Sequence, residues 1–397
     1  MSTNMSSRSA STKDVLQDHS QAKVKLYTGY LSAYLKILGN TPYMDTIHLF
    51  DILCGEGRYK DGEEGSALQG LRTIIEYYAS TPLTKLKLSV RLNDFGQSTV
   101  EKGYKKIERV ESFASKLVIP KSKIQLTCSD LEYSVILEEV GRKLNTLRGN
   151  EKSIVFIDPW GYKSIKPQKL KELFACDRCE ILLFLPTTHM YRFANKATAS
   201  GLEEKVPSGS EPLKRLLEEL FDNDVPRFQV FDEFESAILK RLTGKMGAKY
   251  SSSFALETAK RNKYSLFFFT PHIKGLDVFN QVRWKLDTAS GRGYFYRKNP
   301  NQLALLLNCP EVAHIQQVRD LIRSGHVNNR QVYEFGVVNG YLTKATNAAL
   351  NHLKGAGEVV VEASDGKSIP TKTANYLQHN SDRDVLFKYV DNGAIKH

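Results

Sequence analysis

Four short polar segments, each directly after an apolar run, hold the residues whose types and spacing could do chemistry. The first is Phe50-Asp-Ile-Leu-Cys-Gly-Glu-Gly-Arg-Tyr. Gly55 and Gly57 let the backbone turn sharply and approach a ligand, a following helix offers free backbone N–H groups, and Asp51 can order the loop or accept a hydrogen bond from a cationic ligand. The second ends in Asn93-Asp94, where an acid can accept hydrogen bonds from ribose hydroxyls, as in dinucleotide folds. The third is Cys128-Ser129-Asp130, where a polar side chain can meet an adenine amine. The fourth is Phe156-Ile-Asp-Pro-Trp-Gly-Tyr. Asp158 followed by Pro159 forces the chain out of a strand in a fixed turn, with Trp160 and Tyr162 flanking a glycine. A carboxylate beside a backbone carbonyl can hold an exocyclic amine with its lone pair directed at a methyl donor, while an aromatic face stacks the base. The bland alternatives are polar loops after strands and an Asp-capped turn with its aromatics packed in a core.

These segments need a frame. Apolar residues at helical spacing predict a helix over 21–38, then a strand over 47–53 and a helix over 66–78. Strands at 86–94, 124–128, 153–158 and 180–185 alternate with helices at 99–113, 132–147 and 166–174. Continuous apolar strands between helices predict a doubly wound, Rossmann-like parallel α/β sheet buried on both faces, so all four segments fall at one carboxyl edge. A charged helical insertion follows at about 196–249, with helices at 213–221 and 230–242. Strands at 251–257 and 264–270, joined by the polar turn Thr258-Ala-Lys-Arg-Asn-Lys, form an antiparallel final pair, the arrangement of class I S-adenosylmethionine-dependent methyltransferases. A helix at 276–286 precedes a Gly-rich boundary at 288–300. Helices at 312–324, 329–337 and 343–354, then Val359-Val-Val-Glu and a turn at Asp365-Gly366, predict a C-terminal winged helix-turn-helix. The domains are therefore a Ser- and Thr-rich tail over 1–20, a methyltransferase-like domain over 21–300 and a winged helix over 310–397.

The segments Phe50-Asp-x-x-Cys-Gly-Glu-Gly-Arg-Tyr, Gly65-Ser66, Asp158-Pro-Trp-Gly, Tyr264-Ser-Leu-Phe-Phe-Phe-Thr-Pro-His-x-x-Gly275-Leu and Trp284-Lys together resemble the three-Cys-motif partner (TcmP) family. The resemblance spans most of 23–362 and implies a class I methyltransferase fold with a C-terminal winged helix, S-adenosylmethionine as cofactor, and a glycine turn serving as the methyl-donor loop. It also implies that 158–162 corresponds to the Asp-Pro-Pro-Tyr loop of amino-methyltransferases acting on adenine. Trp160-Gly161 departs from that pattern, and Trp160 or Tyr162 would supply the stacking face instead. The expected roles are Asp51, Gly55 and Gly57 for the donor's methionine end, Asp94 for its ribose, Asp130 for its adenine, and Asp158 for the acceptor amine. The expected acceptor is a nucleic-acid base in DNA or RNA, within a bacterial modification or defence system. The alternative is a catalytically altered methyltransferase-like partner or nucleic-acid adaptor. A nicotinamide dinucleotide site is disfavoured by the missing third glycine.

Cys176-Asp-Arg-Cys179 is one C-x-x-C with no second pair, and only His189 stands near it in sequence, so no metal site is expected. His272 and Lys274 follow the last strand and have a solvated turn as their default. Five cysteines in 397 residues cannot build a disulfide framework, which points to a reducing, cytoplasmic setting. No run approaches the roughly 18 apolar residues that span a bilayer.

The 56 Lys and Arg against 44 Asp and Glu leave +12, which makes a polyanion the first partner to consider. Ten of the basic residues, against four acids, fall in 82–124, and Lys163, Lys166, Lys169 and Lys171 crowd the stretch after Asp158. The segment 310–397 holds ten basic and nine acidic residues. Nucleic acid is therefore expected on the methyltransferase-like domain. The winged helix, whose third helix offers Lys344, Asn347, Asn351 and His352, is expected to read bases or to bind a protein partner.

Overall fold

Apolar runs of strand length between amphipathic helices have one stable solution, a sheet covered on both faces, and the chain adopts it. The computed structural model describes residues 18–159, 161–163, 165–199, 210–258, 260–288, 291–294, 310–363, 375–379, 381 and 383–390. They fall into two compact units, 1–271 with 294–296, and 272–293 with 297–397.

In the first unit, α1 (Asp18–Gly39) precedes β1 (Thr46–Asp51), α2 (Ser66–Ser80), β2 (Lys87–Asn93), α3 (Lys106–Ala114), β3 (Ile124–Ser129), α4 (Tyr133–Leu144), β4 (Glu151–Ile157), α5 (Pro167–Phe174) and β5 (Cys179–Leu185). Then follow α6 (Thr187–Ala199), α7 (Glu211–Phe221), α8 (Phe231–Met246), β6 (Tyr250–Glu257) and β7 (Lys263–Thr270). The sheet order is β3-β2-β1-β4-β5-β7-β6, with the short β8 (Gly293–Tyr294) beyond β6. The first five strands pair in parallel. The final pair β6 and β7 is antiparallel, as the sequence pattern predicts, and β7 also runs antiparallel to β5. Every residue of β5 is buried, as a central strand covered on both faces requires. This is a Rossmann-like α/β sheet.

Two helices of the first unit differ from the sequence reading. The helix expected from Thr99 begins only at Lys106, because Glu56 takes hydrogen bonds from Thr99 N–H at 2.8 Å and Val100 N–H at 3.3 Å and holds that segment as a loop. α6 lies where no helix was expected before about 196. Its buried face has only Thr187, Thr188, Met190 and Ala194 among the residues 187–195, too weak an apolar stripe to show in the sequence.

In the second unit, α9 (Ile273–Leu286) joins α10 (Pro310–Arg323), β9 (Val327–Asn328), α11 (Asn329–Val338), α12 (Thr343–Gly355), β10 (Val359–Ala363) and β11 (Val385–Tyr389). The polar side chains of α9 explain its allegiance. Asn280 Nδ2 donates to the Val337 carbonyl at 2.8 Å, Trp284 Nε1 to the Gly340 carbonyl at 2.8 Å, and Asp277 accepts from the Tyr333 hydroxyl at 3.1 Å. His272 precedes α9 and makes no side-chain cap to it, its carbonyl accepting the Gly275 N–H at 3.0 Å, and Lys274 pairs with Asp277 at 2.8 Å. The small sheet has the order β10-β11-β9, antiparallel throughout. The expected turn at Asp365-Gly366 lies outside the described residues. Among the described residues no helix is long and apolar enough to cross a membrane.

Candidate functional site

The carboxyl ends of β1, β2 and β3 are bound together by one side chain. Asn93, fully buried, donates from Nδ2 to the Ile52 carbonyl at 3.1 Å and the Leu131 carbonyl at 3.0 Å. Its Oδ1 accepts from Ser129 Oγ at 2.8 Å and Leu131 N–H at 2.9 Å. The Asn93 carbonyl takes the Cys54 N–H at 2.9 Å, which anchors the start of the glycine turn.

Beside this anchor lies a cavity of about 180 Å³, lined by the turn from Leu53 to Tyr59, by Gly65 and Ser66 at the start of α2, by Lys106 and by Asp158. Gly55 and Gly57 take φ of +72° and +77°, the left-handed region that suits glycine. A Cβ on Gly55 would meet nothing within 4 Å, whereas one on Gly57 would lie 3.3 Å from Val110. The first turn of α2 has no side-chain cap, which leaves its N–H groups for whatever enters.

Asp51 lies beneath the turn with no exposed surface. Its Oδ2 accepts from Ser66 Oγ at 2.9 Å, while its Oδ1 has no hydrogen-bond partner among the described residues. Burial pushes its carboxyl up to about 7. The Ser66 hydrogen bond opposes the rise, Asp158 and Asp94 add to it, and Lys23 offsets part of it. Asp94, 2 % exposed, accepts the Gly55 N–H at 2.8 Å and faces Lys106 Nζ at 3.1 Å. Burial raises its pKa despite both partners.

Asp158 lines the cavity, where its carboxylate is ion-paired with the ammonium of Lys23 from α1. Lys23 is buried, with Nζ 4.6 Å from the centroid of the Phe184 ring. Burial alone would lower its pKa, but Asp158 outweighs that, with help from Tyr59 and Asp51, and the net shift is upward. Glu56, between the two glycines, accepts from Ser98, Thr99 and Val100 and pairs with Arg109 at 2.8 Å. Burial works against its charge, yet these donors hold it at about 2.

The expected site residues therefore separate. Gly55, Gly57 and Asp158 line the cavity, while Asp51 and Asp94 lie buried behind it, bonded to its lining residues Ser66 and Gly55. Asp130 is ion-paired with Lys105 and does not line it. Pro159 is buried, and its carbonyl accepts the Gly161 N–H at 3.0 Å in a tight turn with φ of +93° at Gly161. Tyr162 donates to the Pro186 carbonyl at 2.7 Å and packs on the core. Trp160 lies outside the described residues. Cys176 and Cys179 are buried free thiols, and no cluster of three His, Cys, Asp or Glu able to hold a metal occurs among the described residues.

Sequence reasoning missed Lys23, Lys106, Glu56 and Tyr59. A signal for Lys23 was present, since it stands four residues before Tyr27 and in helical register with Tyr30 and Tyr34, on the stripe that α1 buries.

No protein-family model matches the chain, and no curated protein matches it. Among solved structures it is similar to SCL7 of Oryza sativa, with 11 % identity over 62 % of this chain and 79 % of that one at a TM-score of 0.30. Loganic acid methyltransferase with SAH matches at 8 % identity, 97 % and 98 % coverage and a TM-score of 0.27. PKMT2 from Rickettsia typhi in complex with AdoHcy matches at 10 % identity, 64 % and 56 % coverage and a TM-score of 0.27.

Proposed function

We propose that this protein is an S-adenosylmethionine-dependent methyltransferase acting on a base of DNA or RNA at an exocyclic amine. The observation that carries the donor half is the buried, unpartnered Oδ1 of Asp51 beneath a glycine turn with open space at Gly55. An α-amino group is the donor such an oxygen lacks, and the uncapped start of α2 suits the neighbouring carboxylate. Asp94 would receive the ribose, with Lys106 turning aside to free its second oxygen. When bound, the cofactor supplies an electrophilic methyl group at this edge. The sheet supports the reading, because β7 between β5 and β6 is the class I methyltransferase arrangement. Calorimetry with S-adenosylmethionine tests it. Binding weakened by Asp51→Ala and Asp94→Ala is expected, and no binding to the wild-type chain sinks the proposal.

The acceptor half rests on Asp158 in the same cavity and on exposed Lys163, Lys166 and Lys171 just after it, none of which forms an ion pair among the described residues. Such lysines suit a phosphate backbone. Transfer from labelled donor into DNA or RNA is the expected outcome.

A second reading, a catalytically altered methyltransferase-like partner or nucleic-acid adaptor, is favoured by the resident lysines on both Asp158 and Asp94. Donor binding without transfer into DNA, RNA or total extract would select it.

We read the second unit as a winged helix-turn-helix with α12 as its third helix. Asn375 Nδ2 donates to the side-chain Oδ1 atoms of Asn347 and Asn351 at 3.0 and 3.1 Å. An asparagine reads adenine with oxygen and nitrogen together, so these contacts favour protein binding over base reading. The resemblance to three-Cys-motif partner proteins supports a bacterial modification or defence setting, and the cysteine usage supports a cytoplasmic one.

A further inference from the structure

The basic residues of 82–124 do not all belong to the candidate site. Lys105, Lys106 and Arg109, at the carboxyl edge, are paired with Asp130, Asp94 and Glu56. Lys85, Lys87, Lys116 and Lys121 lie in or beside the loops that lead into β2 and β3, at the opposite edge of the sheet. All four are exposed, and none forms an ion pair among the described residues. The unneutralised charge of this segment is thus concentrated away from the cavity.

The same edge exposes large apolar side chains. Tyr43 before β1 is 68 % exposed, Leu83 before β2 is 94 % exposed and Val118 before β3 is 90 % exposed. Since the sheet order is β3-β2-β1, these three loops are neighbours. Hydrogen bonds fix them to one another. Lys123 Nζ donates to the Thr84 carbonyl at 2.7 Å, and Thr84 Oγ1 meets the Tyr77 hydroxyl at 3.2 Å. The Lys87 N–H donates to the Asp45 carbonyl at 2.8 Å and the Leu88 N–H to that of Lys123 at 2.9 Å. Binding there would cost little ordering of the loops.

We infer that the amino edge of the sheet, centred on Leu83 and Val118 and ringed by Lys85, Lys87, Lys116 and Lys121, docks a partner protein that presents apolar side chains among acidic ones. Charge complementarity selects an acidic partner. The aliphatic centre selects protein over nucleic acid, because a phosphate backbone offers Leu83 and Val118 nothing to pack against. This surface is independent of the methyl-donor reading and would stand if that reading failed.

Fluorescence anisotropy on the full chain tests it with two labelled peptides of equal charge, one alternating Leu and Glu, the other Ser and Glu. The Leu-Glu peptide should bind roughly tenfold or more tightly than the Ser-Glu peptide. Leu83→Ser/Val118→Ser should erase that difference, and Lys85→Glu/Lys121→Glu should weaken both peptides. These side chains are exposed, so the variants should melt with the wild type. Equal affinity of the two peptides, no binding of the Leu-Glu peptide, or an affinity untouched by Leu83→Ser/Val118→Ser overturns the inference. Loss of duplex DNA binding in Leu83→Ser/Val118→Ser overturns it in favour of nucleic acid. Sedimentation showing wild-type self-association that those changes abolish overturns it in favour of a second copy.

Discussion

Asp51→Asn should make the protein more stable at alkaline pH and worse at holding an ammonium ligand. The wild-type carboxyl is raised from 3.8 to about 7. A group whose folded pKa is raised binds its proton more tightly in the native state, so its contribution to stability is complete below the unfolded value and is lost as pH climbs through the folded one. At about 1.4 kcal/mol per pH unit, the loss reaches about 4 kcal/mol above pH 7, of which about 2 to 3 kcal/mol falls between pH 5 and pH 8. Asparagine has no charge to desolvate and can still accept from Ser66. Its amide nitrogen inherits the unpartnered position of Oδ1, at a cost of about 1 to 3 kcal/mol that does not change with pH. Urea unfolding at pH 5 and pH 8 should therefore show the variant gaining about 2 to 3 kcal/mol on the wild type across that interval. Glu180, buried and also raised to about 7, is present in both proteins and cancels. Wild-type affinity for S-adenosylmethionine should rise from pH 6 to pH 8 as Asp51 ionises, and the variant should lose that rise. A stability difference that stays constant from pH 5 to pH 8 would refute the reasoning.

Lys23→Met should destabilise the fold by about 2 to 4 kcal/mol by leaving Asp158 without its counter-charge, and Lys23→Met/Asp158→Asn should recover most of that in urea titrations. Gly57→Ala, at φ +77° with Val110 3.3 Å from the new Cβ, should cost about 1 to 2 kcal/mol. Gly55→Ala should cost only the backbone share of about 1 kcal/mol, because nothing surrounds the new Cβ, yet it should lower donor affinity in calorimetry by filling the space above the turn. Asn93→Ala should cost about 3 kcal/mol or more, since it orphans the Ile52 carbonyl and both polar groups of Leu131, with thermal unfolding as the check.

The frame was legible because strands buried on both faces need unbroken apolar runs, and such runs stand out between helical periods. Phe50-Asp51, Asn93-Asp94 and Ile157-Asp158 each mark the point where the apolar run gives way to polar residues at the strand's end. What stayed illegible is where side chains reach across sequence. Asp94 and Asp130 both follow strands, but only Asp94 meets the glycine turn, because Lys105 holds Asp130 aside. Tyr162 was expected to frame an acceptor from its place near Asp158. Its hydroxyl instead finds the Pro186 carbonyl, as a half-buried phenol with an acceptor in reach will do. The membership of α9 turned on Asn280 and Trp284, whose partners lie more than fifty residues away.

Charge shows the same limit most sharply. The sequence reading joined the lysines of 82–124 into one basic surface because they are close along the chain. A parallel sheet sends the two ends of each strand to opposite edges, so a segment that runs from before β2 to the start of β3 must visit both. At the carboxyl edge, acids beside the turn neutralise Arg109, Lys106 and Lys105 through Glu56, Asp94 and Asp130, leaving exposed Lys102 there without an ion pair among the described residues. At the amino edge no such demand exists, and Lys85, Lys87, Lys116 and Lys121, beside Leu83 and Val118, form no ion pair among the described residues. If nucleic acid binds near Asp158, its salt dependence should therefore come from Lys163, Lys166 and Lys171 rather than from 82–124. Replacing those three by alanine should reduce the slope of log affinity against log salt by about 3, whereas Lys85→Ala/Lys121→Ala should leave it unchanged. The reverse pattern would mean that nucleic acid uses the amino edge and that a protein partner there is the wrong assignment.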